Sequence, residues 1–148
     1  MIINYFINKI LSWKKRIHFK NNVTLLGTEY MFGRSGYVSL SDSSTKDDVV
    51  LGNHVWIYGA LQSQNHGKIF MGNYSKLGVG CRIQSVESVV IGDYTAIADG
   101  VTISDNNNHP VSPLYRQYMR TTSSVDDSRH WKHSAHAPVI IGKNCWIG

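Results

Sequence analysis

The sequence predicts an all-β solenoid of short parallel strands, and three regularities predict it. A large aliphatic residue returns every six positions: Leu51 and Ile57; Met71, Leu77 and Ile83; Ile91, Ile97 and Ile103; Ile141 and Ile147. Gly follows directly at Gly52, Gly72, Gly78, Gly92, Gly142 and Gly148. A small or β-branched residue comes four after the aliphatic one, at Val55, Ser75, Cys81, Thr95, Val101 and Cys145. A longer period overlies the short one: Leu51, Met71 and Ile91 are 20 residues apart, whereas Ile91 to Ile141 takes 50. Six is neither a helical nor a simple strand period, and such self-similarity marks a repeat architecture. Three strands and three corners close a triangle, with the aliphatic residue on the axis and the small residue beneath the corner. Gly or Asn/Asp supplies permissive backbone at the turn. Stacked triangles then pair as parallel strands about 4.7–4.9 Å apart.

In chain order, residues 1–20 stand apart from the repeat. Ile3, Phe6, Ile7, Ile10 and Ile17 recur at helical spacing, with Lys9, Lys14, Lys15, Arg16 and Lys20 between them, so the segment reads as an amphipathic helix. Its apolar run is too short to span a bilayer and its charges follow the apolar residues, unlike a secretory signal. Two roles suit it: a cap over the first coil, or peripheral contact with the anionic inner face of a membrane. Residues 21–148 form the solenoid domain, with weak hexads from Asn21 to Asp48 and strong ones from Val49. Between Ile103 and Val139 the pattern vanishes into Asn, Ser, His, Arg and aromatic residues, so an extruded loop is expected at about 104–138.

Formal charge is +5, from 15 Lys+Arg against 10 Asp+Glu, and much of the basic excess lies in the first twenty residues. The neutral, Gly- and Val-rich middle lacks the basic, aromatic-interleaved docking element of a nucleic-acid reader, so no nucleic-acid partner is expected. Cys81 and Cys145 have neither CxxC nor zinc spacing; both sit at corner positions, which fits packing and a reducing, cytoplasmic setting.

The ten aliphatic positions in phase resemble those of the hexapeptide-repeat acyltransferases. The resemblance implies a left-handed parallel β-helix, a hand that periodicity alone would not give, because parallel crossovers are otherwise nearly always right-handed. It also implies a homotrimer, acetyl-CoA as co-substrate and a carbohydrate acceptor, as in the sugar and polysaccharide O-acetyltransferases. In that family a histidine takes the proton of the acceptor hydroxyl. His109, six residues beyond Ile103 in "SDNNNHPVSP", matches its position at the start of the loop. A sugar hydroxyl is a poor nucleophile at neutral pH, and a base with a pKa near 6.5 within hydrogen-bond reach contributes roughly 10²–10⁴ in rate. The bland reading is a polar residue in an Asn-rich turn.

Asp105 is the candidate to orient that imidazole, or else a turn cap. Asn106, Asn107, Asn108 and Trp131 are candidate acceptor-binding residues; the asparagines also tolerate left-handed backbone. Trp146 and Lys132 are candidates for contact with coenzyme A, and the loop cations suit its phosphates or an acidic polysaccharide. The spacing of His130, His133 and His136 invites comparison with γ-class carbonic anhydrases, but those ligands come from regular coils, so no metal is expected. Gly80 stands where galactoside and maltose acetyltransferases carry Asn, which disfavours simple β-galactosides. Acetylation of a small antibiotic or amino acid, as by streptogramin or serine acetyltransferases, is the alternative. The chain ends at Gly148 within a hexad pair, so further C-terminal coils are expected to be missing, and an inactive truncated remnant is a third possibility.

Overall fold

Hexads built on an axial aliphatic residue fold into coils of three short strands. The computed structural model describes residues 2–148, with side chains from Lys9 onward; the side chains of Ile3, Phe6 and Ile7 lie outside the described residues. Helix α1 (Ile2–Asn22) leads into a first coil of β1 (Thr24–Leu25), β2 (Tyr30–Phe32) and β3 (Tyr37–Ser41). The second coil is β4 (Val49–Leu51), β5 (Val55–Ile57) and β6 (Ala60–Gln64). The third is β7 (Lys68–Met71), β8 (Lys76–Leu77) and β9 (Arg82–Ser85), and the fourth β10 (Ser88–Ile91), β11 (Ala96–Ile97) and β12 (Thr102–Ser104). After the loop, β13 (Val139–Ile141) and β14 (Trp146–Ile147) continue the stack.

Corresponding strands pair in parallel as three faces, β1-β4-β7-β10-β13, β2-β5-β8-β11-β14 and β3-β6-β9-β12. The molecule is thus a parallel β-solenoid of four full turns carrying one N-terminal helix. Leu51, Met71, Ile91 and Ile141 stack in register, as do Ile57, Leu77, Ile97 and Ile147. The long excursion before Val139 leaves no mark on that register. From the second coil to the fourth the axial residues are almost wholly buried and, with Phe19, Val23 and Val38, form one continuous core, against which the partly buried Leu25, Phe32, Ile141 and Ile147 pack.

Two features refine the sequence expectation. Residues 24–41 form a complete coil despite their irregular spacing, with Leu25 beneath Leu51, Phe32 beneath Ile57 and Val38 beneath Leu61. In the second coil the third axial residue is Leu61, four rather than six after Ile57, and it still pairs with Ile83. The missing residues reappear at the next corner, where Asn65 and His66 take left-handed backbone, φ 54° and 61°.

The glycines also act differently from the expectation. Gly80 and Gly100 do take left-handed backbone, φ 72° and 78°, but at the other corners that conformation belongs to His54, Tyr74, Tyr94 and Asn144, two residues beyond the repeat glycine. Gly72 instead permits close stacking: a Cβ there would lie 2.6 Å from the Asp93 backbone nitrogen in the next coil. The residue after Gly72 and Gly92 ties coils together, since Asn73 Oδ1 accepts from the Asn53 N–H (2.8 Å) and Asp93 Oδ1 from the Asn73 N–H (2.9 Å). The buried small residue closes the same corner, the Ser75 hydroxyl donating to the Gly72 carbonyl at 2.7 Å.

Candidate functional site

Where β12 ends, the chain turns out of the coil through Asp105, and the corner of the coil below holds that residue. The buried Asp105 carboxylate accepts from the Ser85 hydroxyl (2.7 Å), the Val86 N–H (3.0 Å), the Glu87 N–H (2.8 Å) and the Asn106 amide (3.0 Å). With those lone pairs engaged, Asp105 anchors the corner, and no hydrogen bond joins it to His109. The orienting role expected of it therefore finds no geometry here. Asn106 is engaged too, its Oδ1 accepting from the Asn108 N–H at 2.9 Å, the local turn that short polar side chains favour. Asn108 takes left-handed backbone at φ 61°, the bland alternative for it.

The two ends of the loop are pinned together. Asn106 and His136 form an antiparallel bridge, the Asn107 N–H donates to the Ala135 carbonyl (3.0 Å), and the Ala137 N–H donates to the Asp105 carbonyl (2.9 Å). Asn107, Asn108 and His109 protrude just beyond this closure and are exposed. The His109 N–H donates to the Asn107 carbonyl at 2.6 Å, while its imidazole has no hydrogen-bond partner among the described residues.

His109 instead faces the loop's own helix, α2 (Pro113–Thr121). It lines a recess of about 50 Å³ with Arg116, Met119, Arg120 and Arg129. Helix α2 starts where the sequence dictates, with Pro113 at its first position and Ser112 as its cap. The Arg129 guanidinium closes its other end, donating to the Met119 and Thr122 carbonyls and through Nε to the Ser123 carbonyl. A cation there also complements the negative end of the helix dipole. Arg116 and Arg120 lie one turn apart and make no ion pair among the described residues. Their convergence with His109 was missed in the sequence, although the i,i+4 spacing was legible there.

The returning half of the loop runs along one corner of the solenoid and touches every coil. His130 Nδ1 lies 2.7 Å from Asp42 Oδ2 in the first coil, an ion contact between buried atoms without hydrogen-bond alignment. The Trp131 N–H donates to Gln64 Oε1 in the second (2.5 Å), His136 Nε2 stands 3.9 Å from Glu87 in the third, and Ala137 meets Asp105 in the fourth. The extruded loop is therefore a strap. Trp131 is half-buried within it.

Lys132 Nζ and His133 Nε2 both reach Asp127, at 2.6 and 2.7 Å. These partners, the ammonium first and then the imidazole, bring the Asp127 carboxyl down to about 2. Lys132, a candidate for coenzyme A, is thus already paired, and His130, His133 and His136 are turned to different acceptors. Among the described residues no group of three His, Cys, Asp or Glu side chains is placed to hold a metal ion. Trp146 projects from β14 with four-fifths of its surface exposed, in the outer row that contains Trp56, Lys76 and Ala96. It is not among the residues that line the His109 recess. Cys81 is buried at its corner and Cys145 partly so, both as free thiols.

Fold and site together define a parallel β-solenoid carrying a strapped loop with an exposed histidine at its root. Compared with protein-family models, curated proteins and solved structures, the chain matches none.

Proposed function

We propose that the chain is a left-handed hexapeptide-repeat acyltransferase, an O-acetyltransferase that moves acetyl from acetyl-CoA to a hydroxyl of a sugar or surface polysaccharide, working as a homotrimer. The observation that carries this reading is His109: an imidazole without a hydrogen-bond partner among the described residues, at the point where a regular solenoid releases its long loop. In the proposed reaction the imidazole takes the acceptor hydroxyl proton as the oxygen attacks the thioester carbonyl. The C–S bond then breaks, and the coenzyme A sulfur leaves with the proton returned by the imidazolium. Such a base is worth roughly 10²–10⁴ in rate. Arg116 and Arg120 beside it suit an anion, either a carboxylate on the acceptor or a phosphate of the donor.

Thiol release from acetyl-CoA across a panel of neutral and acidic carbohydrates tests the reading. Turnover on a carbohydrate, reduced about 10²–10⁴-fold in kcat by His109→Ala with the melting temperature unchanged, is expected. Near-parental turnover in that variant removes His109 from its role, and turnover confined to small amines or antibiotics moves the acceptor to another class.

A further inference from the structure

Helix α1 presents one face to the solenoid and turns an apolar stripe away from it. Phe19 is wholly buried and stacks on Phe32 with ring centroids 3.9 Å apart. On the same side, Lys15 Nζ donates to the Arg34 and Gly36 carbonyls at 2.7 and 2.6 Å, and His18 Nε2 lies 3.1 Å from the Val38 carbonyl. Asn22 completes this inner row at i, i+3, i+4, i+7 from Lys15. At 100° per residue, Ile10, Trp13 and Ile17 project from the opposite side. They are 52, 62 and 38% exposed, a concentration of apolar surface that the fold leaves uncovered.

The charge around that stripe points to its occupant. Lys20 and Arg16 flank it on one side and Lys14 on the other, and the first carboxylate in the chain is Glu29, beyond the helix. None of these three cations has an ion pair among the described residues. A second copy of the same face would bring like charges together, whereas an anionic bilayer surface satisfies both the stripe and its flanks. No helix among the described residues is long and apolar enough to cross a membrane, so the contact would be in the plane of the interface.

We infer that α1 is a bifunctional cap: its inner face closes the solenoid, and its outer face, Ile10, Trp13 and Ile17 between Lys14, Arg16 and Lys20, docks the protein on an anionic lipid surface. This assignment is independent of the acetyltransferase reading.

Vesicle sedimentation of the full chain tests it. The protein is expected to sediment with phosphatidylcholine–phosphatidylserine vesicles of about 2:1 composition, to remain free with phosphatidylcholine alone, and to be released by high salt. Ile10→Ser with Trp13→Ser should weaken binding at least about tenfold without lowering the melting temperature, because neither residue is buried. Lys14→Glu with Lys20→Glu, which spares the stripe, should do the same. Failure of the parent protein to sediment with the anionic vesicles overturns the inference. So does parental binding by the serine variant, or concentration-dependent self-association that the serine variant abolishes.

Discussion

Asp105 shows how one residue type in one context serves either chemistry or structure. Four donors converge on its buried carboxylate, two of them backbone N–H groups of the coil below. Asp105→Ala leaves those groups unsatisfied and should cost about 2–5 kcal/mol, read as a lower melting temperature. A pure imidazole-orienting role would lower kcat and leave the melting temperature alone, so the two measurements separate the roles. Glycines divide in the same way. Gly72→Ala forces a Cβ to 2.6 Å from the next coil and should destabilise by about 1–3 kcal/mol. At Gly100 nothing lies within 4 Å, so Gly100→Ala meets only its left-handed φ of 78°, a cost of about 1–2 kcal/mol. The hexad pattern marks Gly72 and is silent on Gly100, and only the packed coils tell close approach from backbone hand.

At the scale of elements, the loop is where sequence reading loses resolution. Its limits near 104 and 138 were legible because the hexads stop and resume there. Its path was not, because contacts such as His130 with Asp42 and Trp131 with Gln64 join residues far apart in sequence. The strap also has an acid limit. The Asp127 carboxyl is depressed by Lys132 and His133 to about 2 from an ordinary 3.8. A depressed carboxyl contributes stability above its unfolded pKa and loses it as pH falls through the folded one. Protection factors across residues 126–134, taken relative to the intrinsic exchange rate at each pH, should therefore hold just above about pH 4 and fall toward pH 2. Helix α2 carries a further expectation. On the proposed acetyltransferase reading, Arg116→Gln with Arg120→Gln should raise KM for an anionic substrate several-fold while kcat with a neutral acceptor holds, as steady-state kinetics on matched acceptors would show.

Across the whole molecule, stability rests on a column of aliphatic side chains in which each coil meets only its neighbours. Leu77 is fully buried within that column, and Leu77→Ala should cost about 2–5 kcal/mol, measured by denaturant unfolding. The sequence by itself determined the column: a six-residue return sets an inward direction three times per turn, and the 20-residue return sets the register of stacked strands. It also determined the helix and the place where the loop departs, because these depend on neighbours along the chain. Only the tertiary structure decided that the irregularly spaced residues 24–41 close a full coil, that Asp105 faces the coil below, and that Arg116 and Arg120 join His109. It likewise decided which side of α1 the solenoid covers. Those outcomes depend on which surfaces meet once the coils are stacked, and local spacing carries no record of that.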